Sequence, residues 1–138
     1  AVAQRKLAKN PPAAAIDLRI GDARRLPFPA ANFDAAYTSF TLELFPAEDI
    51  PVVLAEVRRV LKPGGRLSVV SMATVKAGDE PTPLEKTYVW MHRHFPHLVD
   101  CRPIDVEGVV KAAGFSVAEV EEMAIWTMPV RCIVGVNG

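Results

Sequence analysis

The sequence predicts an α/β fold, and three observations carry that prediction. Ile16 to Ile20 alternates in character and is rich in branched side chains, the mark of a short strand. Asp49 to about Leu61 has helical spacing and leads through Lys62-Pro63-Gly64-Gly65 into Arg66 to Ser71, apolar enough for a strand buried in a parallel sheet. Phe115 to about Met123 and Val130 to Val136 then read as two more strands, joined through Ala124 to Pro129.

Taken in order, Ala1 to Lys9 reads as the end of a helix that Asn10-Pro11-Pro12 stops. Gly21 and Asp22 end the Ile16–Ile20 strand. A carboxylate just beyond a strand of an open α/β sheet lies in the crevice where such folds bind ligands. Leu26-Pro27-Phe28-Pro29 is apolar and fixed at two φ angles, suited to wall a flat ring. After a turn at Ala31-Asn32, the run Phe33 to Phe40 heads back into the sheet with Tyr37, Thr38 and Ser39 at its far end.

Asp49 is placed to cap the next helix, with Pro51 tolerated in its first turn. Ile50, Val53, Leu54, Val57 and Leu61 form its core face, and Arg58 and Arg59 read as a solvated face. The two glycines at 64 and 65 follow a helix and precede a strand, which is the wrong context for a phosphate loop and the right one for a tight turn. Met72 to Pro83 reads as a loop. Leu84, Tyr88, Met91 and Phe95 then share one helical stripe, with Trp90 beside it. Asp105 is placed to cap a last helix whose buried face is Val106, Val109, Val110 and Ala113, with Gly114 as its stop.

The whole chain bounds the function. Its 138 residues are 50% hydrophobic, enough for one packed core. Sixteen basic residues balance 16 acidic ones, so no charge excess recommends nucleic acid as a partner. The longest apolar stretches fall short of the roughly 20 residues of a membrane-spanning helix, and the first ten residues lack a signal peptide's apolar core. Cys101 and Cys132 stand apart, which argues against a zinc framework or a disulfide scaffold and for a reduced, cytoplasmic setting. His92, His94 and His97 have no converging fourth ligand nearby, so no metal site is expected; a proton-accepting role suits an imidazole better.

The ordered set GDA, LPFP, FDAAYTSF and EVRRVLKPGGRLSVVS resembles the class I S-adenosylmethionine (SAM)-dependent methyltransferases, and most of all the group containing the ubiquinone and menaquinone biosynthesis C-methyltransferases. The likeness covers about Val2 to Met72 well and the rest loosely. It implies a Rossmann-like sheet, mostly parallel, that closes on a C-terminal antiparallel hairpin. It also implies that Asp22 accepts from the adenine amino group, that the Ala23 N–H meets an adenine ring nitrogen, and that Ser39 lies beside the methionine moiety. Glu43 would face the substrate near the transferable methyl. An insertion at about 73–103 would cover a small-molecule acceptor, with Tyr88, Trp90 and His92 as candidate lining.

The same resemblance exposes an omission. The family's first two strands and its Gly-rich SAM loop have no counterpart here, since no glycine precedes Gly21. Those strands would lie between Ile16–Ile20 and Ala35–Ser39, and a parallel sheet without its centre leaves backbone groups unpaired. The expectation is therefore a partial methyltransferase domain across 1–138: a C-terminal fragment of its parent, a chain completed by strands from another chain, or one whose remaining strands pair in some other order, with a homo-oligomer also open.

The implied chemistry is in-line displacement of a methyl group from a sulfonium, in which alignment supplies much of the acceleration. Glu43, Tyr88 and the histidines are the candidate bases, and the sequence does not rank them. Two readings compete: a non-catalytic remnant or partner subunit that no longer binds SAM, and a nicotinamide-dependent oxidoreductase on a doubly wound sheet.

Overall fold

The computed structural model describes residues 2–9, 13–72, 90, 104–125 and 128–138. In chain order the elements are α1 (Val2–Lys9), β1 (Phe33–Ser39), a 3₁₀ turn (Leu42–Leu44), α2 (Ile50–Val60), β2 (Leu61–Met72), α3 (Val106–Ala112), β3 (Phe115–Ile125) and β4 (Met128–Asn137). The four strands form one sheet in the order β1-β2-β4-β3. β1 and β2 are parallel, with Tyr37 opposite Ser68 and Ser39 opposite Val70. That pairing needs a crossover, which α2 supplies. β4 runs antiparallel to both β2 and β3, giving the expected terminal hairpin.

One face of the sheet holds the core. Along β2, Gly65, Leu67, Val69 and Ser71 are buried in alternation, as a pleated strand requires. Against them pack Ile50, Val53 and Leu54 of α2 and Val106 and Val110 of α3, joined by Phe115 and Ile133. The apolar spacing of α2 and α3 therefore selects the face predicted for each helix. Asp105 caps α3 as expected, accepting from Gly108 N–H at 3.1 Å. By the same alternation the opposite face presents Tyr37, Ser68, Val70, Cys132 and Val134, and Tyr37 remains 69% exposed.

Three local expectations are corrected. Ile16 to Ile20 forms no strand, and Ile20 is fully exposed. Branched residues favour an extended backbone, yet a strand exists only once a neighbour takes up its N–H and C=O groups. None among the described residues does so.

Asp49 stands before α2 without capping it by side chain; its carboxylate instead meets Arg24 at 3.1 Å. Arg58 and Arg59 are exposed but engaged. Arg58 Nε donates to Asn137 Oδ1 at 3.1 Å, and the Asn137 amide nitrogen lies 3.1–3.2 Å from the carbonyls of Arg58, Leu61 and Lys62. A buried asparagine on β4 thus closes the C-terminal end of α2, where carbonyls have no partners within the helix.

The glycine pair makes its turn as a bulge at the start of β2. Pairing with β1 slips between Phe33 and Ala35, and Gly64 takes φ +76°. Gly65 passes so close to the backbone that a Cβ would stand 2.8 Å from the Lys62 carbonyl oxygen.

Candidate functional site

The Gly21–Pro29 segment is shaped by a turn and then held by a helix. Arg25 N–H donates to the Asp22 carbonyl at 3.0 Å, folding the chain back before Leu26. Glu56 on α2 accepts from Leu26 N–H at 2.9 Å, while Arg59 donates to the carbonyls of Phe28 at 3.0 Å and Leu26 at 3.2 Å. The two clamp residues also bind each other, Arg59 Nε to Glu56 Oε1 at 2.8 Å. Arg59 and the Leu26 N–H together hold the Glu56 carboxyl down at a pKa of about 2. Phe28 meets Phe33 edge-to-face at 4.9 Å, and the Arg19 guanidinium lies over the Phe28 ring.

These residues wall an open cleft of about 830 Å³, lined by Leu18, Ala23, Leu26, Pro27, Phe28 and Phe33 among others. The stiff Leu-Pro-Phe-Pro wall expected from the sequence is present. Ala23 lines the cleft; Asp22 and Ser39 are not among its lining residues.

Asp22 is half-exposed and already engaged. Its oxygens accept from Arg24 Nε, Nη2 and backbone N–H at 2.9–3.2 Å, and Arg24 bridges onward to Asp49. The Arg24 side chain first, and its backbone N–H second, hold the Asp22 carboxyl below the usual carboxylate range. It is thus an anionic acceptor near neutral pH whose two oxygens Arg24 already holds.

Beyond Ser39 the chain turns sharply. Phe40 adopts φ +47°, in the left-handed region that non-glycine residues seldom occupy, and Phe40 N–H still donates to the Val70 carbonyl at 2.9 Å. The turn at Leu42–Leu44 then carries Glu43 back over the carboxyl ends of β1 and β2. Glu43 is buried at 2% exposure, its Oε1 accepting from Ser71 Oγ at 2.6 Å and from Met72 N–H at 2.8 Å. The side chain thus takes the place of the next β1 residue in the ladder.

Of the remaining candidates only Trp90 falls among the described residues. Trp90 is 54% exposed, whereas Tyr88 and His92, with His94 and His97, lie outside the described residues, as does the rest of the 73–103 insertion. No group of three metal-ligating side chains occurs among the described residues, and no described helix is long and apolar enough to cross a membrane. Sequence reasoning missed Glu56 and Arg59 as holders of the Leu26–Pro29 wall. Their spacing of three on a helix was the available signal, since it sets both on one face.

Residues 1–69 match the methyltransferase domain family. The ubiquinone/menaquinone biosynthesis C-methyltransferase of Cupriavidus necator is 42% identical over 78 residues, which are 56% of this chain and 29% of that protein. Matched regions span 24% of the length of one curated relative and 42% of another. Among solved structures, a SAM-dependent methyltransferase from Aquifex aeolicus superposes with a TM-score of 0.67 at 17% identity, covering 99% of this chain and 62% of that one. The [4+2]-cyclase SpnF superposes with a TM-score of 0.73 at 18% identity, covering 99% and 61%. Two solved structures under 20% identical share the fold alone, but the family match takes in half of the sequence. This chain belongs to the methyltransferase domain family.

Proposed function

We propose that the chain is part of a SAM-dependent methyltransferase acting on a small-molecule acceptor in a reduced, cytoplasmic setting. Asp22, Ala23 and Ser39 serve the cofactor. Glu43, Tyr88, Trp90 and His92 serve the acceptor beneath a lid at about 73–103. The observation that carries this reading is the apolar cleft beside Asp22, walled by Leu26–Pro29 and held by Glu56 and Arg59, in a chain of this family.

The residues present fit the adenine end of SAM. Pro27 and Phe28 offer flat apolar surface, the Ala23 backbone borders the cleft, and the adjacent Asp22 carboxylate can accept from an exocyclic amine. Ser39 is assigned to the methionine end, and none of the described residues serves the ribose; strands supplied from upstream or by another chain would do so. When bound, the cofactor supplies a methyl group on a cationic sulfur. The protein's part is to hold the acceptor in line and keep water out.

A second reading has its own support. Both Asp22 oxygens are taken by Arg24, so a non-catalytic remnant or partner subunit of this fold that no longer binds SAM fits as well. Calorimetric titration of SAM into this chain and into the chain extended upstream separates the two. Binding that appears on extension and weakens about tenfold in D22A supports the methyltransferase; binding by neither chain leaves the partner subunit ahead.

A further inference from the structure

Arg24 holds Asp22 more fully than one ion pair needs. Its Nε lies 3.1 Å from Asp22 Oδ1 and 3.2 Å from Oδ2, its Nη2 donates to Oδ2 at 2.9 Å, and its backbone N–H donates to Oδ1 at 2.9 Å. A carboxylate has about four acceptor positions, and these bonds fill them. The remaining nitrogen of the same guanidinium, Nη1, donates to Asp49 Oδ2 at 3.1 Å. Arg24 therefore spans two carboxylates, one next to Ala23 at the edge of the cleft and the other just before α2.

The bridge is built to let go on one side. The Arg24 and Asp22 side chains are both half-exposed, and an exposed ion pair adds little net stability. Asp49 is 24% exposed, so water competes less for its hold on Arg24. Asp22 itself does not need the Arg24 side chain to stay in place. Its carbonyl accepts from Arg25 N–H at 3.0 Å, and the backbone N–H of residue 24 remains on Oδ1 whatever side chain that residue carries.

We propose that Arg24 sets the affinity and the amine selectivity of the adenine position, competing with the exocyclic amine of the base for Asp22 and withdrawing to Asp49 when the amine takes its place. Arg24 acts through Asp22 and is a specificity-determining residue rather than a contact of the base. A purine with an oxo group at that carbon brings no donor there and gains nothing from a freed Asp22. This inference rests on the methyltransferase reading and adds to it how the cofactor's base is admitted.

The test uses the product of the full reading frame and two probes without net charge, S-adenosylhomocysteine and its inosine analogue, titrated by calorimetry. R24A is expected to bind S-adenosylhomocysteine about threefold tighter than the wild type and to leave the inosine analogue unchanged. D49A removes the resting place of Arg24 and no side-chain cap of α2. It is expected to bind S-adenosylhomocysteine about threefold more weakly, and to have no effect once R24A is present.

Weaker or unchanged binding of S-adenosylhomocysteine by R24A, an equal gain for both probes, or a D49A loss that persists beside R24A overturns the inference while the methyltransferase reading stands. Should D49A not fold, the two probes on R24A decide alone. A wild-type protein that binds neither probe, or a D22A variant that binds as well as the wild type, counts against the cofactor reading of Asp22, and this inference falls with it.

Discussion

Glu56 reaches from the middle of α2 to accept the Leu26 N–H at 2.9 Å, joining a helix to a loop thirty positions earlier in the chain. With Arg59 on the Leu26 and Phe28 carbonyls, the helix grips the loop backbone from both its donor and acceptor sides. The cleft wall is therefore held by α2 as well as by its own prolines. R59A is expected to release it. Amide exchange at Leu26 and Phe28 should quicken by about tenfold while β2 and β4 stay protected, as measured by hydrogen exchange.

The same clamp has a pH signature. The Glu56 carboxyl sits at about 2 when folded against 4.5 ordinarily, so the unfolded chain binds its proton first as the pH falls. Its contribution is complete above about pH 4.5 and is lost on descent toward pH 2. E56Q should have a shallower acid limb in a plot of urea midpoint against pH, with the two proteins converging below pH 2. An unchanged limb would remove Glu56 from the account.

Asn137 is 7% exposed and serves three carbonyls at the end of α2. N137A leaves them without that donor and is expected to cost about 2 kcal/mol in chemical denaturation. N137D is expected to be worse, because it sets an anion against those carbonyl oxygens.

At the bulge, the backbone allows no Cβ. G65A would place a methyl 2.8 Å from the Lys62 carbonyl and 3.3 Å from that of Asp34. The expected loss is about 1–3 kcal/mol by the same measurement. G64A tests φ +76° alone, because no atom lies within 4 Å of its Cβ position. It should cost less, about 1 kcal/mol.

Much of the fold was legible because it is encoded locally. The i, i+3, i+4 spacing of Ile50, Val53, Leu54 and Val57 marks α2, Asp105 marks the start of α3, and Gly64 marks the turn into β2. What the sequence hid depends on residues far apart in the chain. Ile16–Ile20 has the composition of a strand, but composition does not supply a neighbour. Asp49 looks like a cap until Arg24 is seen to hold it, and Arg58 looks solvated until Asn137 arrives from 79 positions away.

The site divides in the same way. The apolar wall at Leu26–Pro29 could be read from its prolines, but not that Glu43 would be buried with Ser71 and Met72 fixing one of its oxygens. No periodicity announces that Ser71 and Arg131 will face each other, because strand register is a property of the assembled sheet.

The closure of α2 by Asn137 also sets an order of events during synthesis. Arg58 leaves the ribosome 79 residues ahead of the asparagine that seals its helix. At ordinary elongation speeds that interval lasts roughly 4–16 s. Throughout it the nascent helix ends in open carbonyls beside a half-built sheet, so chaperones that bind unfinished chains have their opening on this protein before β4 emerges.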